Sequence, residues 1–266
     1  MNAPLLHYYD IAPGVRAFST TRHGGFSQGN HGGFNINEHC GDTAEAIAKN
    51  RRLLADELSV SPDRIVMPHQ THGVETRQIA GEFLALPEGV RKMVLEGVDG
   101  VMTDVEGICI GVSTADCIPV LLYDEEHRAV CAVHAGWRGT LARIVMKAAA
   151  DMRLAYATRP EVLKAVIGPG ISFEAFEVGD EVYEQFVGAN FDMEGISRQM
   201  KSASAEAEYK WHIDLKECNR RQLMQAGVAE GNIQVSPVCT YRDVADYFSA
   251  RRLGADSGRI FTGILL

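Results

Sequence analysis

GICIGVSTADCIPVLLYDEEHRAVCAVHAGWRGTLARIVMKAAADMRLAY, residues 107–156, sets three apolar runs close together and then changes period. GICIGVST at 107–114 reads as a buried strand. ADCIPVLLYD at 115–124 is a turn leading into a second, and AVCAVHAGW at 129–137 is a third. Short apolar runs bounded by turn residues are the signature of strands buried on both faces. RGTLARIVMKAAADMRLAY at 138–156 then shows helical spacing and reads as one long helix. Strands this close in sequence, joined by short turns, favour an α+β fold with mixed sheets and helices outside.

The flanks fit that scheme. Residues 11–20 read as a turn and a short strand, and 21–35, TRHGGFSQGNHGGFN, as a glycine-rich loop or lid. Residues 42–58 carry helical spacing behind Asp42, a candidate N-cap. Residues 64–80 look like two strands joined through a PHQTHG turn, and 98–104 like a turn and strand. VLKAVIGPGIS at 162–172 is a strand running into a Gly168-Pro169-Gly170 loop. Helices are expected at 178–187 and from Asp214 onward, with a strand around IQVSPV. The polar stretch 188–210 reads as a mobile insertion. No internal repeat is visible.

The bulk numbers narrow the function. The 266 residues are 46% hydrophobic and 23% charged, enough for a sizeable core without a stabilising metal or disulfide. A formal net charge of −9 argues against general nucleic-acid binding. The six cysteines are scattered with no CxxC pair, which suits reduced thiols in a cytoplasm. No signal-peptide pattern opens the chain, and no apolar run reaches the roughly 18 residues of a spanning helix.

Three residues carry chemistry. His72 sits in the HQTHG turn, Cys117 follows Asp116 at the start of an apolar strand, and His134 ends another. Strand ends let side chains converge on one rim of a sheet. Imidazole and thiolate are the donors zinc prefers, and three protein ligands with one open position is the usual catalytic arrangement. The same residues also suit a Cys117 nucleophile with His134 or His72 as its base. Either is weighed against plain burial, since Cys is among the most buried residue types; Cys109 and Cys131, inside strands, are assigned to core. His69, three residues before His72, is an alternative ligand. Asp116 could orient a ligand or act as a base. Arg138, Arg51 and Arg22 are the candidate phosphate contacts, with Arg251 and Arg252 beside them. P-loop, dinucleotide-fold, HExxH and zinc deaminase signatures are absent.

Several segments resemble the YfiH-like family, also called the laccase-domain or multicopper polyphenol oxidoreductase-type family. They are TTRHGG at 20–25, NRRLL at 50–54, HQTHG at 69–73, DGVMTD at 99–104, ADCIPVLLYD, AVHAGWRGT at 132–140, IGPGIS at 167–172, and the CTY and FSARR segments. They run in order through nearly the whole chain. Thr71 stands where the family often has Val, and the tail follows the pattern more loosely. The resemblance implies one α+β domain over residues 1–266, with two packed mixed sheets in αββα layers. It implies zinc, or alternatively copper, at His72, Cys117 and His134. It implies purine nucleoside and phosphate as substrates: phosphorolysis of adenosine, inosine and methylthioadenosine, and deamination of adenosine. Other activities attached to the family are copper-dependent phenol oxidation and amide hydrolysis that edits peptidoglycan precursors. A non-catalytic metal-binding protein is the remaining reading. Blue multicopper chemistry uses paired HxH motifs, and this chain has nine histidines with no HxH.

Overall fold

The computed structural model of the chain describes residues 2–202 and 208–266. The first half runs β1 (Leu6–Tyr9), β2 (Arg16–Thr20), α1 (Ala44–Leu58), β3 (Ile65–Val66), β4 (Thr76–Gln78), α2 (Glu88–Leu95) and β5 (Gly100–Thr103). The central segment forms β6 (Cys109–Thr114), β7 (Ile118–Asp124), β8 (Ala129–Ala135), α3 (Trp137–Leu141) and α4 (Ile144–Tyr156). Then come β9 (Lys164–Ile167), β10 (Glu177–Val178), α5 (Asp180–Gly188), β11 (Ser197–Lys201) and β12 (Tyr209–Ile213). The chain ends with α6 (Leu215–Gln225), β13 (Ile233–Val235), α7 (Ala250–Leu253) and β14 (Ile260–Leu265).

Two mixed sheets dominate, as expected. One has the order β1-β2-β14-β6-β3 and the other β13-β9-β7-β8-β5-β4. Alternate residues of β7 show why its sequence has no polar alternation. Leu121 and Tyr123 pack with Ile110, Val112 and Ile264 of the facing sheet. Val120 and Leu122 point the other way, onto Ile144, Val145 and Met152 of α4 and Leu215 of α6. On the outer face of the five-stranded sheet, Phe18 and Phe261 meet Leu54 and Leu58 of α1. The layers are therefore α1, sheet, sheet, α4 with α6. Burying one such leucine contributes roughly 1.5–3 kcal/mol, and all six cysteines are free thiols, so the layers cohere without cross-links.

Five features depart from the sequence reading. A third sheet, β10-β12-β11, stands apart from the two large ones. Its strands β11 and β12 occupy part of the stretch read as a mobile insertion, whose residues 203–207 lie outside the described residues. The long helix is broken: Arg143 takes a left-handed φ of 61°, while its guanidinium donates to Ala189 O at 2.8 Å. Thr43, not Asp42, caps α1, accepting from Ala46 N at 3.3 Å; the Asp42 carboxylate is engaged by Ser27 and Asn35. The PHQTHG segment joins no hairpin, since β3 and β4 belong to different sheets. It crosses from one sheet to the other at their common rim. Finally, the tail supplies β14, which lies between β2 and β6 and completes the five-stranded sheet.

Candidate metal centre

Asp99 organises the rim where the two sheets meet. It is fully buried just before β5. Its carboxylate accepts the successive backbone N–H groups of Thr71, His72 and Gly73 at 3.2, 3.0 and 2.7 Å. These bonds bend the loop so that His72 takes a φ of 63° and its ring stays exposed. The same carboxylate meets His134 Nδ1 at 2.7 Å, while His134 N donates to Asp99 O at 2.8 Å. One acidic side chain thus holds a loop histidine by its backbone and a strand histidine by its ring. With Nδ1 committed to Asp99, His134 offers Nε2 on its other edge. Carboxylate–histidine pairs of this kind fix the tautomer of metal-ligating imidazoles.

Cys117 completes the group from the turn between β6 and β7. Its Sγ and one ring nitrogen each of His72 and His134 all lie within 4.8 Å of one another. The two imidazoles meet edge-on, centroids 4.8 Å apart. Gly136 borders all three: a Cβ there would lie 3.0 Å from Cys117 Sγ, 3.1 Å from His72 Cδ2 and 3.7 Å from His134 Cε1. Burial by itself pushes the Cys117 thiol up, but the adjoining His134 and His72 outweigh it and bring the thiol down to about 6. Burial likewise disfavours a charged His134, yet Cys117 and Asp99 raise it to about 9. Burial leaves Asp99 harder to ionise, and its bonds to His134 and the loop more than reverse that, holding the carboxyl low. By contrast, burial raises the thiols of Cys40, Cys109, Cys131 and Cys218. A thiolate and two imidazoles held by a buried carboxylate are the donors a borderline-soft divalent ion takes, so the residues fit such an ion. Gly136→Ala is expected to weaken zinc binding by about tenfold, the lower end for changes beside a ligand shell. Competition against a chelator measures it, and the melting temperature should stay near wild type because Gly136 has an ordinary φ of −66°.

His134 also lines a cleft of about 150 Å³, together with Asn37, His39, Gln70, Ser113 and Arg259. His39 and His69 continue into a second space of about 350 Å³, and Met67, Lys92 and Leu95 lead on to a third of about 300 Å³ that includes Arg51. The three form a trough leading away from His134.

The other residues singled out by sequence fall elsewhere. His69 stacks on His39 at 3.9 Å and pairs with Glu96 at 2.8 Å, so it does not join the cluster. The Asp116 carboxylate accepts from Thr240 Oγ1 and Arg251 N, one bond to each oxygen. Arg22 is spent on Gly32 O and Val244 O over the Phe248 ring, tying the 21–35 loop to the tail. Arg51 donates to Ile65 O and Pro62 O. Arg138 is exposed and lies over Trp137. Asp99, Gly136 and Arg259 were not singled out as site residues. For Asp99 the available signal was an acid directly preceding a buried strand. Among the described residues a second group, Asp124, Glu126 and His127, also comes together. It is explained by the β7–β8 turn, where Asp124 accepts from Glu126 N, His127 N and His127 Nδ1.

Comparison with known proteins gives consistent results. A purine nucleoside phosphorylase of Bacteroides thetaiotaomicron is 44% identical over 249 residues, covering 94% of this chain and 90% of that protein. Adenosine deaminase RL5, from an unknown prokaryotic organism, is 42% identical, covering 94% of each chain. The crystal structure of the hypothetical protein YfiH of Bacillus licheniformis superposes with a TM-score of 0.86 at 29% identity, covering 100% of this chain and 97% of that one. YlmD from Geobacillus stearothermophilus gives 0.84 at 30%, covering 96% and 93%. The pattern of the family described as multi-copper polyphenol oxidoreductase laccase matches residues 16–266, and the chain belongs to that family.

Proposed function

We propose that this protein is a single-domain, zinc-dependent enzyme acting on purine nucleosides, cleaving them with phosphate and deaminating adenosine. The observation that carries the reading is the His72, Cys117 and His134 cluster, whose His134 lines the first of three adjoining spaces that together are large enough for a nucleoside. The relatives named purine nucleoside phosphorylase and adenosine deaminase supply the substrate class.

His72, Cys117 and His134 would hold the ion. When bound, zinc supplies Lewis acidity, which polarises a substrate oxygen or makes water a better nucleophile near neutral pH. The chain's own groups do the rest. Asp99 fixes the His134 ring and the His72 loop in one geometry, so the donors need no rearrangement. Gly136 keeps the space between the donors clear. Arg259, Arg51 and Arg91 line the trough, and of these Arg259, in the same cleft as His134, and Arg51 would meet the negative charge of phosphate. Arg259 is already ordered by donating to Gly258 O and Ala255 O, and Arg51 by Ile65 O. Arg138, exposed beside the His134 strand, is the remaining candidate. Phosphorolysis joins a phosphate oxygen to ribose C1′ and breaks the C1′–N9 bond, releasing the base, whereas deamination adds water at purine C6 and expels ammonia, so the two reactions require the nucleoside to present different atoms to the centre. Phenol oxidation of the multicopper kind needs several histidine-rich sites, whereas the second ion-competent group among the described residues has two carboxylates and one histidine.

Incubating the protein with inosine and phosphate should release hypoxanthine and ribose 1-phosphate, and adenosine alone should give inosine. Chromatography of both mixtures is the test. Absence of either product at high enzyme concentration, with zinc fully loaded, would count against the reading.

A further inference from the structure

The geometry points to Asp116 and Thr240 as positioning residues that set Cys117 in place for the metal, coupling the C-terminal segment to the centre. This rests on the zinc reading above.

Asp116 directly precedes Cys117 and is nearly buried, with 9% of its surface exposed. Its φ is 84°, a region that residues other than glycine occupy at a cost in free energy. Three separate segments hold it there. Thr240 Oγ1 donates to Asp116 Oδ1 at 2.7 Å. Arg251 N, in the first turn of α7, donates to Oδ2 at 2.6 Å. Ile171 N, after the Gly168-Pro169-Gly170 loop, donates to the Asp116 carbonyl at 2.9 Å. Thr240 is itself fully buried and its own N–H reaches Gly170 O at 3.2 Å. Gly170 suits this approach, since a Cβ would clash with Ile118 Cδ1 and crowd Asp116 O at 3.1 Å and Cys117 O at 3.2 Å. Both carboxylate oxygens are therefore acceptors in a closed network, and the strained turn they sustain aims the next side chain, Cys117 Sγ, at His72 and His134. Partners that orient a ligand from outside the ligand shell matter to affinity almost as the ligands do.

Thr240→Val keeps the shape and removes the donor, while Thr240→Ser restores it. Zinc affinity by chelator competition should fall by about 10–100-fold in Thr240→Val and return toward wild type in Thr240→Ser. Asp116→Asn, which cannot accept from both partners, should fall similarly. In the cobalt-substituted protein the thiolate-to-cobalt absorption band should weaken or shift in Thr240→Val and Asp116→Asn and recover in Thr240→Ser. Wild-type affinity and an unchanged band in Thr240→Val, with or without a lower melting temperature, overturn the positioning role. Zinc retained with wild-type affinity in Asp116→Asn while turnover disappears overturns it too and makes the carboxylate a base. If the wild-type protein binds neither zinc nor cobalt, the metal reading fails first, so the two failures are distinguishable.

Discussion

Cys117→Ala is expected to purify without stoichiometric zinc and to lose at least about 10³-fold in kcat/KM for inosine, since Lewis-acid stabilisation supplies several kcal/mol and each 1.4 kcal/mol is tenfold. The reasoning is one of donor count. Three protein donors converge on this rim, and removing the only thiolate leaves two imidazoles, one of them on an exposed loop. The fold should survive the change. Cys117 sits in a turn outside the apolar clusters that bind the layers together, so the circular dichroism spectrum and melting temperature should stay close to wild type. Elemental analysis and an assay for released hypoxanthine check the two halves. A variant that retains one zinc per chain, or that turns over normally without it, contradicts the assignment.

Asp99→Asn is expected to lower zinc affinity by about 10–100-fold, the range for groups that orient metal-ligating histidines. It should also cost stability, by about 1–3 kcal/mol for the buried donors left without an acceptor. Asp99 takes bonds from three consecutive loop N–H groups and from the His134 ring. An amide of the same shape has one acceptor oxygen and presents N–H where the carboxylate presented its second. The loop then relaxes and His134 loses the partner that selects its tautomer. Both candidate ligands, His72 and His134, are affected by one substitution, which distinguishes Asp99 from an ordinary buried acid. Chelator competition reads the affinity and urea unfolding reads the stability. A loss of stability alone, with affinity intact, would make Asp99 a purely structural residue.

Much of the frame can be read in local pattern. β6, β7 and β8 announce themselves as apolar runs because both of their faces are covered, and α6 begins at Asp214, which caps it by accepting from Glu217 N. What escapes is set by distant parts of the chain. β14 finds its partners β2 and β6 far away in sequence, and IFTGIL carries no signal that says so. Arg143 is a good helix former, and it is tertiary contacts, to Ala189 O and over the Phe191 ring, that accompany its left-handed break. Asp42 and Thr43 are both capping types, and the choice between them follows from Ser27 and Asn35 already occupying the aspartate. The same limit applies at the candidate metal centre. Ligand chemistry singles out His72, Cys117 and His134 by residue type. Asp99 and Asp116 make bonds to residues up to 135 positions away, and adjacency leaves Asp116 open as a ligand-orienting group or a base, where the network engages both of its oxygens.

Titrating zinc into chelator-stripped protein while following hypoxanthine release from inosine and phosphate tests the central claim most directly. Turnover should be absent at the start, rise in proportion to added zinc and level off at one equivalent per chain. Full turnover in the stripped protein, or turnover restored by copper and not by zinc, would contradict it.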